Sequence, residues 1–226
     1  MILIYSCVFI KSSYIQLFHL LLKTLKEYGK PDNNVHFLVL CDASFQNQIE
    51  SLFKKYDTTG FTWVQSVHSV FHAAYSRLFI FNYENINLYD RIIYLDCDIL
   101  ITNALQPLID IPLEKKLYAV KEGNTNHNFH GAQFFKNNPK LPAFSSGAMI
   151  FLNCSEVKSL FHNIYTHTQE HLQKKLPIPY CLEQPFIIYH AITTDRYDNT
   201  TCIPYIINNP GENFKGHIIS HFSGVP

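Results

Sequence analysis

The chain has no net charge and few charged residues of either sign. Eighteen lysines and arginines balance eighteen aspartates and glutamates, and charged residues make up 16% of the 226 positions. A balanced chain has no overall field that would attract nucleic acid or an anionic membrane, and we see no local basic groove in the sequence. We therefore predict that nucleic acid is not a partner.

The sequence also lacks paired cysteine motifs. Its six cysteines, at positions 7, 41, 97, 154, 181 and 202, include no C-x-x-C pair. Four of them lie in or beside apolar strand-like runs, where a free cysteine behaves as a small hydrophobic residue. This usage favours a reducing compartment.

The apolar N-terminal run "MILIYSCVFI" has no basic segment before it, as a signal peptide would. Lys11 and Lys23 interrupt the apolar region, which makes it a poor membrane span as well. We predict no signal peptide, no transmembrane segment and a cytoplasmic location.

Strand-like and helix-like patterns alternate along the chain, and this favours one α/β domain with a largely parallel sheet covered by helices. The first helix has apolar residues at helical spacing from Tyr14 to Tyr28, with Ser13 as N-cap and Gly29 beyond its end. Further helices are predicted over 43–55, 72–82 and 155–172, and strands over 2–9, 35–41, 61–67, 92–96, 118–121, 148–153 and 217–222. Residues 122–142 are predicted to be a long functional or mobile loop.

Two acids follow the apolar run in "IIYLDCDIL", residues 92–100. Ligands of parallel α/β sheets bind beyond the carboxyl ends of the strands, where Asp96 and Asp98 are expected. Their carboxylates would suit Mg²⁺ or Mn²⁺, although an isolated D-x-D more often caps a turn or helix. Glycosyltransferases using a sugar nucleotide and haloacid-dehalogenase-like phosphohydrolases both place D-x-D after such a strand. The phosphohydrolase class, with Asp96 as nucleophile, is kept only as the alternative. Two features disfavour it: the motif continues "ILIT", and no later acidic pair follows.

The residues around this motif resemble glycosyltransferase family 8, the group that contains glycogenin and the bacterial lipopolysaccharide galactosyltransferases. The segment "AAYSRLFIFNYENINLYDRIIYLDCDILI" (73–101) is similar to the family's Tyr-x-Arg-Leu and Leu-Tyr-Leu-Asp-x-Asp signature. Four other segments resemble family motifs in the correct order, namely "VLCDAS", "FSSGAMIFLN", "EQPFI" and "HFSG". The resemblance extends over nearly the whole chain.

The resemblance implies a single GT-A domain over residues 1–226. Its nucleotide-binding half, which is Rossmann-like, would cover about 1–101. Its acceptor half, with the C-terminal strand that carries a metal ligand, would cover 102–226. The activity implied is retaining transfer of a hexose from a nucleoside diphosphate sugar, UDP-glucose or UDP-galactose, to a glycan or another hydroxyl acceptor. The donor sugar, the acceptor and the oligomeric state cannot be read from the sequence.

Residue roles are carried over from the family by position. Asp96, Asp98 and His221 would bind the metal, and imidazole favours Mn²⁺ over Mg²⁺. Glu183 and Gln184 would lie near the reacting sugar as the catalytic pair, although Glu183 could equally be a carboxylate at a helix start. Tyr14 could stack on the base or begin a buried helix stripe. The donor and its nucleotide would contact Phe9, Lys11, Tyr14, Arg77, Asp96, Cys97, Asp98, Ser145, Ser146, His221 and Gly224.

Some positions depart from the family pattern. Lys11 stands where the family has an aspartate that recognises uracil, and a lysine cannot accept a hydrogen bond from the base. Ser145 replaces an asparagine, and Glu183 an aspartate. The family's diphosphate-binding lysine would fall just after Pro226. We therefore expect either an excised domain or a substitute cation, for which Lys215 is the nearest candidate in sequence. These departures leave open a sugar-nucleotide-binding module without catalysis.

Overall fold

The computed structural model describes residues 1–137, 139–211 and 216–223. The strands are β1 (Ile2–Val8), β2 (Val35–Cys41), β3 (Gly60–Val64), β4 (Arg91–Leu95), β5 (Ile99–Ile101), β6 (Leu117–Asn124), β7 (Pro142–Leu152), β8 (Tyr197–Asp198), β9 (Ile206–Asn208) and β10 (Ile219–His221). The helices are α1 (Ser13–Thr24), α2 (Gln46–Lys55), α3 (Val70–Tyr75), α4 (Gln106–Ile109), α5 (Ser155–Gln173) and α6 (Gln184–Thr193). Within the described ranges, no helix has both the length and the apolar character needed to cross a bilayer.

A seven-stranded sheet with the order β3-β2-β1-β4-β7-β6-β8 forms the centre of the fold. The first four strands of that order are parallel, β7 runs antiparallel to β4 and β6, and β8 is parallel to β6. Apolar side chains pack on both faces of this sheet, against α1 and α2 on one side and against α3, α5 and α6 on the other. The mostly parallel, helix-covered sheet predicted from the alternating patterns is confirmed.

A second, small sheet with the order β5-β10-β9 positions the late strand of the chain. β5 begins directly after the two acids, and β10 pairs antiparallel with it, so that His221 lies opposite Ile99. The pairing continues one residue further, where the Phe222 amide donates a hydrogen bond to the Asp98 carbonyl at 3.0 Å. The small sheet therefore carries a histidine from the end of the chain to the D-x-D turn.

The first helix follows the predicted apolar stripe only in its middle. Phe18, Leu21 and Leu22 are fully buried, whereas Tyr14 and Tyr28, the two ends of the stripe, are 39% and 44% exposed. The α-helix ends at Thr24 and continues as one π-helical turn over Leu25–Gly29. The stripe therefore predicted the helix correctly, but it failed to predict which of its aromatic residues face water.

Two segments differ from their predicted structure. The helix predicted over 72–82 is a short α-helix, capped by the Ser69 hydroxyl, followed by a 3₁₀ helix over Ser76–Asn82. The Ser76 hydroxyl donates to the His72 carbonyl at 2.7 Å, at the point where α-helical geometry stops. The predicted loop 122–142 is shorter than expected, because β6 extends to Asn124 and β7 starts at Pro142.

Helix α6 was missed by the sequence patterns because it is apolar on several sides. Phe186, Ile187, Ile188 and Ala191 are buried, so no 3.6-residue alternation between apolar and polar positions develops. The helix packs against α5 and β7. It starts beside the "EQ" pair that the family resemblance singled out.

A pair of histidines links α5 to α6 in an environment that disfavours their charged form. His167 Nδ1 lies 3.1 Å from His190 Nε2. Burial lowers the pKa of both imidazoles, and together with the neighbouring His167 it brings the pKa of His190 to about 4. As the pH falls below the ordinary histidine value, the unfolded chain therefore takes up a proton that the folded chain still excludes.

At low pH we expect this pair to lower the free energy of unfolding by about 1–2 kcal/mol. The effect is this small because both side chains are partly exposed to solvent. The loss should develop as the pH drops from the ordinary histidine pKa towards the folded value of about 4. Urea denaturation at about pH 7.5 and about pH 4.5 measures it. The His190→Gln variant should lose less stability than the wild type over this range. An equal loss in both proteins would contradict the assignment.

Candidate functional site

The two acids occupy the turn between β4 and β5. β4 ends at Leu95 and β5 begins at Ile99, so Asp96 and Asp98 belong to the short connection at the carboxyl end of a central strand. The Asp96 amide donates to the Gly147 carbonyl of β7 at 2.8 Å, which extends the β4–β7 pairing to this residue. The location predicted for the pair, beyond the end of a buried strand, is confirmed.

Asp96, Asp98 and His221 form a cluster in which one ligand atom from each residue lies within 4.8 Å of the others. His221 Nε2 is 3.4 Å from Asp98 Oδ1 and 3.8 Å from Asp96 Oδ2. Asp98 Oδ1 and His221 Nε2 are buried and have no hydrogen-bond partner. Buried polar atoms are nearly always paired in native proteins, so two such atoms aimed at one point indicate a ligand.

The imidazole of His221 is oriented by its other nitrogen. Nδ1 lies 3.0 Å from Asn208 Oδ1, so a proton on Nδ1 would be donated to this oxygen and Nε2 would keep its lone pair for a ligand. Proteins commonly orient a metal-binding histidine in this way. Gly147 provides the space, because a Cβ at that position would lie 2.1 Å from His221 Cε1.

Arg77 connects this cluster to Glu183. The guanidinium is buried, with Nη2 3.0 Å from Asp96 Oδ1 and Nε 3.1 Å from Glu183 Oε1. Nη1 donates to the Ser146 carbonyl at 3.1 Å, and the guanidinium carbon lies 4.3 Å from the Tyr94 ring centre. Nε donates its hydrogen bond to the Ala74 carbonyl at 3.0 Å, so Arg77 holds Asp96 through a hydrogen bond and Glu183 as an ion pair.

The buried charges shift one another's pKa. Burial raises the pKa of Asp96 and Glu183 above the ordinary carboxyl range, and the positive charge of Arg77 opposes this shift in both. Burial alone would lower the pKa of His221, but the carboxylates of Asp98 and Asp96 outweigh it and raise the net value. Asp96 and Glu183 thus share one guanidinium, Asp98 adds a further negative charge beside Asp96, and an added cation would relieve the repulsion between the carboxylates.

A cavity of about 240 Å³ opens in front of the cluster. Its walls include seven residues expected to contact the donor, namely Phe9, Lys11, Tyr14, Arg77, Asp96, Cys97 and Asp98. A larger groove of about 1130 Å³ follows the edge strand β3, but it contains none of the clustered acids or His221. The smaller cavity is therefore the better candidate site, because the unpaired buried atoms and the shifted pKa values are found beside it.

Several cavity residues have defined individual environments. Tyr14 is exposed at the start of α1, and its pKa is raised by partial burial and by the charge of Asp98. Lys11 is exposed and follows Ile10, which has a φ of 69° that β-branched residues rarely adopt. The Ile10 amide donates to Asp42 Oδ2 at 2.7 Å. The Cys97 thiol donates to the Cys7 carbonyl at 3.3 Å.

The remaining predicted residues lie behind or outside this cavity wall. Ser145 is buried, and its hydroxyl accepts from the Gly147 amide at 3.3 Å instead of lining the cavity. Gln184 Oε1 accepts from the Ser146 amide at 2.9 Å. Glu183 is the N-cap residue of α6, so the helix-start alternative describes its backbone, while its side chain pairs with Arg77. Gly224 and Lys215 are outside the described residues.

Two polar groups of this cluster were not predicted from the sequence. Tyr94, inside the apolar run before the acids, donates its hydroxyl to Asp96 Oδ1. Glu122 is a partly buried carboxylate of β6 whose charge adds to the raised pKa of His221. The tyrosine could have been noticed from its position two residues before Asp96, but only the three-dimensional fold brings Glu122 to the cluster.

The cluster fits a divalent metal ion. Two carboxylates and one imidazole are oxygen and nitrogen ligands of the kind that Mn²⁺ accepts, and the orphaned Asp98 Oδ1 and His221 Nε2 are free to coordinate. Asp96 already accepts from Arg77 and Tyr94 through Oδ1. Its Oδ2 is the atom that faces the cluster.

Comparison with known proteins gives a family and a fold. The model of the family described as "Glycosyl transferase family 8" matches residues 17–191. No curated protein matches the chain. The structural matches below share less than a fifth of their residues with it, so they bear on the fold alone.

The solved structures resemble the whole chain. A structure of galactosyltransferase LgtC in complex with donor and acceptor sugar analogs has a TM-score of 0.68 at 17% identity and covers 99% of this chain and 87% of its own. Mouse xyloside xylosyltransferase 1 has a TM-score of 0.65 at 14% identity, with 99% of both chains covered. The bifunctional glycosyltransferase WbbM has a TM-score of 0.66 at 14% identity, and the match spans 99% of this chain but 45% of WbbM.

We predict that Gly147→Ala destabilises the protein through His221. An added Cβ cannot coexist with the imidazole 2.1 Å away, and such overpacking costs about 1–3 kcal/mol. Urea denaturation of the wild type, both single variants and the Gly147→Ala/His221→Ala double variant measures the coupling. The alanine at position 147 should cost much less once His221 is also alanine. Equal costs in the two backgrounds would contradict the packing described here.

Proposed function

The chain belongs to glycosyltransferase family 8, and from this premise we propose that it transfers a hexose from a uridine diphosphate sugar to a hydroxyl acceptor, with the help of a divalent metal ion. This membership decides against the haloacid-dehalogenase alternative. The observation that carries the proposal is the convergence of Asp98 Oδ1 and His221 Nε2, both buried and unpaired, beside a cavity at the carboxyl end of β4.

Asp96, Asp98 and His221 would hold the metal ion. When bound, a divalent ion neutralises diphosphate charge and stabilises the departing nucleotide, so that no protein acid has to protonate it. The residues themselves prepare this arrangement. Asn208 fixes the His221 ring at 3.0 Å, and Arg77 and Tyr94 hold the Asp96 carboxylate through hydrogen bonds. We favour Mn²⁺ because the donor set includes an imidazole.

The nucleotide would occupy the half of the chain formed by residues 1–101. Tyr14 is the residue we propose for stacking on the base, since its ring is exposed in the cavity wall and not in the core. Lys11 can donate to a carbonyl oxygen of the base but cannot accept from a base N–H. We therefore propose UDP on the basis of the family, because Lys11 gives no support of its own for uracil. We propose that a lysine, Lys215 or another, contacts the diphosphate.

Glu183 and Gln184 are proposed to act on the reacting sugar from the half formed by residues 102–226. The Glu183 carboxylate is fixed by Arg77 at 3.1 Å, and Gln184 is held by Ser146, so both are rigidly placed. Negative or dipolar groups of this kind stabilise developing positive charge on a sugar ring. One of the matched structures is an active-site mutant of LgtC in which glutamate replaces a glutamine. We propose that the transfer retains anomeric configuration, as the family resemblance implies.

A sugar-nucleotide-binding module without turnover is the second candidate, because Lys11 and Ser145 depart from the family pattern. Incubation with Mn²⁺ and a panel of uridine diphosphate sugars distinguishes the two. Release of UDP, even slowly by hydrolysis, supports the enzyme. Tight binding without any release supports the module.

We predict that Asp98→Asn removes metal-dependent UDP binding. The amide keeps the shape of the side chain but loses the charge that attracts a hard cation. Loss of a charge-assisted contact corresponds to about 1.5–3 kcal/mol, or about ten- to a hundredfold in affinity. Calorimetric titration with UDP, with Mn²⁺ or with a chelator, measures the effect. The exposed Asp110→Asn variant is the control and should bind like the wild type. Unchanged Mn²⁺-dependent affinity in Asp98→Asn would remove the metal assignment.

Tyr14→Ala should weaken UDP binding without unfolding the protein. An aromatic face stacked on a base contributes about 1–3 kcal/mol, whereas a 39% exposed side chain contributes little to the core. The UDP dissociation constant and the melting temperature are measured together. Tyr28→Ala, at the other end of the same predicted stripe and 44% exposed, is the matched control. A collapse in stability with normal binding by the folded fraction would restore the core interpretation of Tyr14.

A further inference from the structure

The strand at one edge of the central sheet has an open side. β3 is the outermost strand of the sheet, and in the described part of the chain it pairs only with β2. Its register with β2 continues without a bulge over all of Gly60–Val64. An edge strand of this kind presents a row of unpaired amides and carbonyls, to which another strand can bind.

The backbone groups on the open side can be assigned residue by residue. The Thr59 carbonyl and the Gln65 amide, at the two ends of β3, bond to β2 at 2.8 and 2.9 Å. Alternate residues of a strand direct both of their backbone groups to the same side, so the odd-numbered residues of β3 bond to β2. Gly60, Thr62 and Val64 therefore direct their amides and carbonyls outwards. Within the described residues these outward groups have no backbone partner.

β3 lacks the features that usually protect an edge strand. It contains no charged residue and no proline, and Phe61 and Val64 are each 41% exposed. The opposite edge of the same sheet is protected, because β8 is only two residues long and one of them is Asp198. Short length and charge are the common means of preventing unwanted strand pairing. An unprotected β3 therefore indicates a strand that is covered by another one.

We propose that β3 pairs antiparallel with β3 of a second copy of this chain, about a two-fold axis at Thr62, so that two sheets become one. In an antiparallel pair, hydrogen-bonded residue pairs alternate with non-hydrogen-bonded ones. An axis at Thr62 places this residue opposite its own copy and Gly60 opposite Val64. These are the outward-directed residues, so each outward amide meets an outward carbonyl. The backbone of β3 is thus complementary to itself.

The side chains of β3 fit the same axis. Phe61 comes opposite Trp63 of the second copy, in a non-hydrogen-bonded pair, where side chains of neighbouring strands are closest. Aromatic pairs at such positions stabilise a sheet. Both rings already have neighbours that order them, since Trp63 lies 5.6 Å from Tyr83 and Phe61 lies 5.7 Å from His36 between ring centroids. Little side-chain freedom is therefore lost when the strands meet.

The groove along β3 also suits a second copy. One of its walls is α2, on which Glu50 and Lys54 lie one helical turn apart. The two-fold axis turns α2 of the second copy end for end, so that unlike charges of the two walls can meet. The groove shares no residue with the cavity beside Asp96 and Asp98. The inference therefore goes beyond the proposed function and does not depend on it.

Sedimentation velocity from nanomolar to millimolar concentration tests the proposal. The mass of the wild type should rise from one chain to two. Thr62→Pro removes an outward amide at the axis and no bond to β2, so it should raise the dimer dissociation constant about tenfold or more. Val64→Lys, which places a charge in the contact, should weaken the dimer as well. Ile203→Lys adds the same charge at a 45% exposed position between β8 and β9 and should dimerise like the wild type.

Hydrogen exchange followed by NMR shows which amides are covered. At high concentration the Gly60 and Thr62 amides should exchange slowly in the wild type and fast in Val64→Lys. The Phe61 and Trp63 amides, bonded to β2, should stay protected in both proteins. Melting temperatures show that the variants are folded.

Three results would overturn the proposal. One is a wild type that stays monomeric at every concentration. Another is a dimer that persists unchanged in both β3 variants, which would place the contact on a different surface. The third is equal protection of the Gly60 and Thr62 amides in the wild type and in Val64→Lys, because a segment of the same chain would then cover the edge.

Discussion

The buried guanidinium of Arg77 is the interaction on which the site depends. It contacts Asp96, which follows β4, and Glu183, which starts α6, at 3.0 and 3.1 Å. A buried ion pair stabilises little by itself, but removing one partner leaves an uncompensated charge and is costly. Arg77 therefore fixes the relative position of two segments far apart in sequence, and through the Ser146 carbonyl it also fixes the strand between them.

One guanidinium is not enough for the carboxylates around it. Asp96, Asp98 and Glu183 oppose the single charge of Arg77, which leaves an excess of negative charge beside a cavity. His221 brings a lone pair to the same point, oriented by Asn208. A cation at this point would relieve the repulsion between the carboxylates, and it would in turn attract the diphosphate of a sugar nucleotide. The fold, the charges and the family membership thus lead to the same proposal.

The sequence predicted the central sheet, the location of Asp96 and Asp98, and the family, because strand periodicity and the D-x-D motif are local signals. It predicted less where structure depends on packing. Helix α6 is buried on several sides and shows no helical pattern, and the effect of the Glu122 charge on the pKa of His221 arises only from strand order.

The most direct test of the account is an anomalous diffraction measurement at the manganese edge on crystals soaked in MnCl₂ and UDP. We predict one strong peak at coordination distance from Asp98 Oδ1 and His221 Nε2, with UDP phosphate oxygens on its open side and the base beside Tyr14. UDP bound in the cavity without a peak at this cluster, or a peak held by other residues, would contradict it.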